Sequence, residues 1–198
     1  MSAYTSDRAF TDYIHRHLAL DLIYTPIHWT QIDLDTAYAE KVDMQQGIDY
    51  VFRDKNGNLK TVQERFREVK YQKYSDFTIR YRRDGNMHQD RKQSEYYKMK
   101  ADYFTYGITN CHKNTDLNRC TDFVKYAIID LKKVYEKIDA GEIIIRDNGK
   151  NFCSLKDRKI ICPIKYNHDG SSSFFPIEIA FLVQLWGKEI ILSQKGFI

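Results

Sequence analysis

Residues 46–67, QGIDYVFRDKNGNLKTVQERFR, contain the pattern that decides the fold. Residues 54–58, DKNGN, are a turn sequence with Asn56-Gly57 at its centre, and β-branched and aromatic residues with alternating polarity flank it. We therefore predict strands over residues 48–53 and 59–69, paired as an antiparallel hairpin.

The hairpin would place one carboxylate beside a polar triplet. Asp49 starts the first strand, and Gln63-Glu64-Arg65 lies in the second. Because side chains alternate along a strand, Gln63 and Arg65 share one face and Glu64 points to the other. A β-bulge would invert this arrangement. The sequence thus leaves open whether Gln63 or Glu64 faces a ligand beside Asp49.

A carboxylate with a nearby cation suits metal-assisted hydrolysis of a phosphodiester. A divalent ion polarises the phosphate and lowers the pKa of a bound water. Mg²⁺ keeps several waters, so one or two carboxylates are enough to hold it. A guanidinium close by would stabilise charge in the transition state. The alternative is a solvated edge strand with cross-strand ion pairs.

Residues 47–49 (GID) and 62–65 (VQER) together resemble the G-I-D … [E/Q]-x-K signature of the PD-(D/E)XK nuclease superfamily. Upstream, Glu40 matches the position of an accessory acidic residue in that superfamily. Downstream, a predicted helix and the strand over residues 103–108 look like the pair that completes its core. The resemblance covers roughly a third of the chain and implies a restriction-endonuclease-like fold.

The resemblance also implies roles for single residues. Asp49 would bind the metal, helped by Gln63 or Glu64 and supported by Glu40. Arg65 would be the catalytic cation, at a position where lysine is usual. The implied cofactor is Mg²⁺ or Mn²⁺, and the implied activity is that of a deoxyribonuclease, an endonuclease of restriction or phage type. Such enzymes commonly act on DNA as homodimers, since two-fold symmetry matches the duplex.

The segment from residue 53 to residue 100 is rich in cations with aromatic residues between them. This composition favours contact with a nucleic-acid backbone, although a solvated charged face would look the same. We predict that five side chains bind phosphates: Lys70, Lys73, Arg80, Arg82 and Arg83. Two other functions remain open for the same fold, a catalytically inactive nucleic-acid-binding module and a protein-interaction module.

The remaining periodicity predicts an α/β fold with a mixed central sheet, flanked by helices and containing an antiparallel meander. The meander would be formed by the hairpin and a third strand over residues 77–82. Helices are predicted over residues 6–24, 35–45, 89–100, 118–140 and 175–186. Further strands are predicted over residues 103–108, 143–146, 160–164 and 189–193.

Composition bounds the class of protein. A chain of 198 residues with 42% hydrophobic and 29% charged residues fits one globular domain over residues 1–198. No apolar run is long enough to cross a bilayer, and the N-terminus has no apolar signal core, so we expect a cytoplasmic, non-membrane protein. Four free thiols are then expected, with zinc binding as the alternative: Cys111, Cys120, Cys153 and Cys162.

Overall fold

The computed structural model describes residues 3–35, 45–82, 94–113, 115–147, 151–168 and 172–198. Within these ranges the strands form one six-stranded sheet and two three-stranded sheets. The mixed α/β class predicted from the sequence is confirmed at this level. The strands are β1 (Thr30–Ile32), β2 (Tyr50–Arg53), β3 (Leu59–Arg67), β4 (Asp76–Arg82), β5 (Tyr103–Thr109), β6 (Phe123–Asp130), β7 (Ile143–Arg146), β8 (Ser154–Lys156), β9 (Lys159–Pro163), β10 (Lys165–Tyr166), β11 (Ser173–Glu178) and β12 (Ile191–Lys195).

Helices are short in the described part of the chain, apart from the N-terminal one. They are α1 (Ala3–Ile14), a π-helix (His15–Tyr24), α2 (Glu95–Lys98), α3 (Leu131–Asp139) and α4 (Ile179–Trp186). Short 3₁₀ turns occupy Thr25–Ile27, Val69–Tyr71, Leu117–Arg119 and Gly187–Glu189. The predicted helix over residues 35–45 lies almost wholly outside the described residues. Of the helix predicted over residues 89–100, residues 94–100 are described, and the prediction is correct there only for α2, since Ser94 and Met99 are extended.

The β2–β3 hairpin forms as predicted, with Tyr50 opposite Val62. The Asp54 carboxylate accepts the N–H groups of Asn56 and Asn58, each at 2.9 Å, and so closes the turn. Gly57 has φ +85°, a conformation that glycine adopts without a steric penalty. The turn sequence therefore sets the register that brings Asp49 beside the second strand.

The predicted meander is wrong. In the central sheet the order is β1-β2-β3-β5-β6-β12, so β5 and not β4 lies beside β3, and it runs parallel to it. Strand β4 pairs with β11 in a separate sheet, with Phe77 opposite Ile177. The connection over residues 68–75 is too long for a tight hairpin turn, so nothing local forces β4 to pair with β3.

The N-terminal helix covers one face of the central sheet. Ile14 and Ile23 are buried there against Val62 and Phe66 of β3. A helix over residues 6–24 was predicted, and its extent is nearly correct. Its second half is a π-helix, in which the Thr25 N–H donates to the Leu20 carbonyl five residues back. The π-helix is a rare conformation that often occurs at functional sites.

The other face of the central sheet packs against the two smaller sheets and the C-terminal helices. Phe104 and Ile108 of β5 are buried there with Phe77 of β4 and Ile177 of β11. Strand β4 thus packs on β5 in this core, although it is absent from the central sheet.

Two predicted helices begin as strands. Residues 118–140 contain β6 followed by α3, and residues 175–186 contain most of β11 followed by α4. In β6, Ile128 packs on one face of the sheet while Ala127 and Ile129 pack on the other. A strand buried on both faces is apolar throughout, and periodicity alone does not separate it from a buried helix.

The expectation of four free thiols is wrong for one pair. Cys111 and Cys120 form a disulfide with Cα atoms 5.1 Å apart. They close the loop between the antiparallel strands β5 and β6, whose ends lie side by side. Cys153 and Cys162 are free. Among the described helices, none combines the length and apolar character needed to cross a membrane.

Replacement of both Cys111 and Cys120 by serine should lower the free energy of unfolding by about 2–3 kcal/mol. A disulfide across nine residues of sequence removes that much chain entropy from the unfolded state. Urea unfolding without reductant measures the difference, with Cys153→Ser as the single-thiol control. Identical midpoints for the wild type and the double variant would show that the disulfide does not stabilise the fold.

Candidate functional site

A cleft of about 760 Å³ opens beside β3. Asp49, Gln63 and Arg65 line it together with side chains from α1, from the turn after β3 and from strands β4 and β11. The predicted site residues on the hairpin therefore meet in one concave surface. Cations and carboxylates are both well represented among the lining residues, so the cleft is strongly charged without a large net charge.

Asp49 is the best-anchored carboxylate of the cleft. Its Oδ1 accepts from Arg8 Nη1 at 2.8 Å, and its Oδ2 accepts from Gln63 Nε2 at 2.5 Å and from the Glu64 backbone N–H at 2.7 Å. Its own N–H donates to the Val62 carbonyl. The side chain is only 2% exposed. Hydrogen bonds to both oxygens favour the ionised form and fix its orientation.

Gly47 makes the close approach of this segment to β3 possible. Its φ is +58°, and a Cβ built there would lie 3.2 Å from Gln63 Oε1 and 3.4 Å from Met99 Cγ. A larger residue would be strained in its backbone and crowded against Gln63. The glycine two residues before Asp49 is therefore a steric requirement of the site.

Glu64 points to the opposite face of β3, as the regular alternation predicts. Both of its carboxylate oxygens lie 3.0 Å from His15 Nδ1, and the Tyr24 hydroxyl lies 2.6 Å from Oε1. His15 Nε2 lies 3.2 Å from Gln31 Oε1. The His15 ring also stacks on Tyr50 with centroids 3.5 Å apart. The bulged alternative, with Glu64 turned toward the cleft, is not what the structure contains.

Both His15 ring nitrogens face oxygens, those of Glu64 and Gln31, and this arrangement favours the imidazolium because it can donate from both. Burial alone lowers the pKa of His15, but the neighbouring Glu64 carboxylate outweighs it, and the net pKa is raised. Burial raises the pKa of Tyr24 well above its usual value, so it remains a phenol. Its one proton goes to Glu64, so the Thr105 hydroxyl 2.9 Å away donates to Tyr24.

Arg65 braces the central sheet against β4 and α2. Its Nη1 donates to the Thr78 carbonyl at 2.6 Å, and its Nη2 donates to Glu95 Oε1 at 2.6 Å. Glu95 Oε2 also accepts the Arg80 backbone N–H. Burial lowers the pKa of Arg65, but the Glu95 carboxylate raises it by more. The net pKa is raised, so the guanidinium stays charged. The predicted catalytic cation lies in the cleft and has a structural role as well.

Only part of the predicted phosphate-binding group lines the cleft. Lys70 and Arg80 do, and Lys70 Nζ lies 2.5 Å from Glu68 Oε1. Lys73 lies over the Tyr74 ring, and Arg82 donates to the Tyr166 hydroxyl at 2.8 Å, both outside the cleft lining. Arg83 and the predicted accessory residue Glu40 lie outside the described residues.

Sequence reasoning missed three side chains around this site. They are Arg8, which binds Asp49, and His15 and Tyr24, which bind Glu64. Asp12 accepts from Arg8 Nε at 3.0 Å, four residues along α1. A charged helix face spaced by four residues is visible in the sequence, but solvated helices show the same spacing. The spacing alone therefore does not distinguish these residues from those of a solvated helix face.

The His15–Glu64 pair should make stability depend on pH. Because folding raises the pKa of His15 above 6.5, its contribution is complete below that pH and is lost as the pH rises through the folded pKa. The unfolding free energy of the wild type minus that of His15→Gln should therefore shrink between about pH 6 and about pH 9. Urea unfolding at both values measures it, and a constant or growing difference would contradict the charged pair.

In the described ranges, no three His, Cys, Asp or Glu side chains lie close enough together to hold a metal ion. No model of a known protein family, no curated protein and no solved structure matches this chain. The likeness to the PD-(D/E)XK superfamily thus rests on the hairpin motif and on the order of the elements around it.

Proposed function

We propose that this chain is a metal-dependent nuclease that hydrolyses phosphodiester bonds in the cleft beside β3. The observation that carries the proposal is the Asp49 carboxylate, 2% exposed and fixed by three donors in a cleft that cations and carboxylates line together. A phosphate backbone would bring negative charge to the cations of the cleft, while Asp49 supplies an anchored carboxylate beside Gln63. DNA is the proposed substrate, and a symmetric dimer stays a prediction.

The residues of the cleft floor fit a magnesium ion. Mg²⁺ prefers oxygen ligands and needs only one or two from the protein. Asp49 would provide a carboxylate oxygen, and Gln63 carries an amide oxygen on the same side of β3. When bound, the ion would polarise the phosphate and generate a nucleophilic water.

The chain's own side chains would divide the remaining tasks. Arg8 neutralises Asp49 at 2.8 Å, and its side chain is 34% exposed, so it has room to move when a cation binds. Arg65 is fixed by Thr78 and Glu95, which places positive charge beside the reacting phosphate with little reorganisation. Lys70 lies in the turn after β3, lines the cleft and would bind a neighbouring phosphate.

One observation favours a second candidate, a nucleic-acid-binding module without cleavage. Both Asp49 oxygens already accept hydrogen bonds from Arg8, Gln63 and the Glu64 N–H. An ion would have to displace at least one of these donors. In the second candidate Arg8 stays on Asp49, and the carboxylate only orders the floor of the cleft.

Asp49→Asn should lower cleavage of DNA in Mg²⁺ by at least about a hundredfold, whether the DNA is supplied as single strands or as supercoiled plasmid, because it removes the anionic ligand and keeps the side-chain shape. Binding of the same substrates in EDTA should stay close to that of the wild type. Single-turnover cleavage and a gel-shift titration measure the two effects.

Asp102→Asn is the matched control for that experiment. Asp102 also accepts a backbone N–H of β3, that of Thr61 at 2.9 Å, but lies outside the cleft lining. Its variant should cleave like the wild type. Full cleavage by a folded Asp49→Asn protein would refute the role of Asp49 as the metal ligand, and no cleavage by the wild type with intact binding would support the second candidate.

Binding should weaken as salt rises, because each phosphate contact releases counterions. Loss of one contact in Lys70→Ala should reduce the slope of log affinity against log salt by about 0.9 for a duplex or about 0.7 for a single strand. Lys188→Ala, an exposed lysine outside the cleft lining, is the control. A flat salt response in the wild type would instead favour a protein-interaction module.

A further inference from the structure

One wall of the cleft presents two tyrosines with cations over their rings. Tyr71 and Tyr74 have centroids 6.3 Å apart. The Arg67 guanidinium lies 5.0 Å and the Lys70 ammonium 5.3 Å from the centre of the Tyr71 ring. Tyr74 is 42% exposed. A cation over a ring covers that face, so the more exposed Tyr74 is the ring of this pair that can stack a base, while the cations beside it bind phosphates.

A further part of the lining carries an exposed phenylalanine. Phe152 is 76% exposed, the highest value among the large hydrophobic side chains described. Phe174 lines the cleft as well, and the Lys165 ammonium donates to Asn151 Oδ1 beside Phe152. An apolar ring kept in water within a concave surface is typical of a binding site.

The size and charge of the cleft disfavour a duplex inside it. A volume of about 760 Å³ is that of a site for a small ligand and would hold a few nucleotides at most. Asp76 and Glu178, directly opposite each other on β4 and β11, both line the cleft. They would repel closely spaced phosphates, and a duplex carries twice the charge per length of a single strand.

We propose that the cleft binds single-stranded nucleic acid, with bases stacked on Tyr74 and Phe152 and phosphates bound by Arg67 and Lys70. The inference rests on the proposed function only in that the bound strand would be its substrate. Stacking of this kind tolerates any base, since every base has a π-face. Recognition would therefore depend on strandedness more than on sequence.

The test is fluorescence anisotropy in EDTA, which prevents cleavage during the titration. The probes are labelled DNA and RNA single strands of about twelve nucleotides, within the site size of single-strand binders, and the blunt DNA duplex of the same sequence. We expect each single strand to bind about tenfold or more tightly than the duplex. A difference between the DNA and RNA arms would report whether the 2′-hydroxyl is read.

Phe152→Ala should weaken single-strand binding between about fivefold and about 150-fold, as the loss of one stacked base does. Phe152→Trp should restore it. Because Phe152 is exposed, its variants should fold, and circular dichroism checks this. Tyr166→Ala is the matched control, an aromatic residue 49% exposed outside the cleft lining.

Equal binding of duplex and single strands, or an unchanged affinity in Phe152→Ala, would overturn the proposal. Failure of the nuclease is a separate result. Single strands bound as expected but never cut in Mg²⁺ would remove the proposed activity and leave the stacking site intact. Plasmid cutting that depends on Asp49, together with no preference for single strands, would support the nuclease and remove the stacking site.

Discussion

A buried carboxylate must have its hydrogen bonds satisfied, and Glu64 obtains them from the N-terminal helix. His15 and Tyr24, at the two ends of the π-helix, both reach its oxygens. Breaking such a pair by removing one partner typically costs about 3–5 kcal/mol, since a buried charge is left behind. The position of the N-terminal helix on the sheet, and of β3 beneath it, depends on this contact.

The same strand connects that contact to the cleft. Glu64 sends its side chain toward His15 and its backbone N–H toward Asp49. Arg8, on α1 before the π-helix, binds Asp49 from the cleft side. The N-terminal helix thus holds both faces of β3 at neighbouring residues. A shift of the helix would change the charges around Asp49 and would also disturb the buried His15–Glu64 pair.

The two proposals use different parts of one cleft. The floor around Asp49 and Gln63 carries the chemistry proposed for phosphodiester hydrolysis. The lining around Tyr74 and Phe152 carries the surface proposed for stacking. Arg65 ties β3, which carries the floor, to Thr78 of β4 and to Glu95 of α2. A nuclease and a binding module would share this lining, and they differ in whether the donors around Asp49 give way to a cation.

The sequence by itself determined the local features. Asn56-Gly57 fixed the hairpin, and strand alternation placed Gln63 and Glu64 on opposite faces. Both depend on interactions between residues close along the chain. The same reasoning failed for β4, which pairs with β11 nearly a hundred residues away, and for β6, which is apolar because it is buried on both faces. Only the tertiary structure brought Arg8 to Asp49, His15 to Glu64 and Phe152 to the cleft, because those contacts depend on how distant segments pack and leave no periodic trace in the sequence.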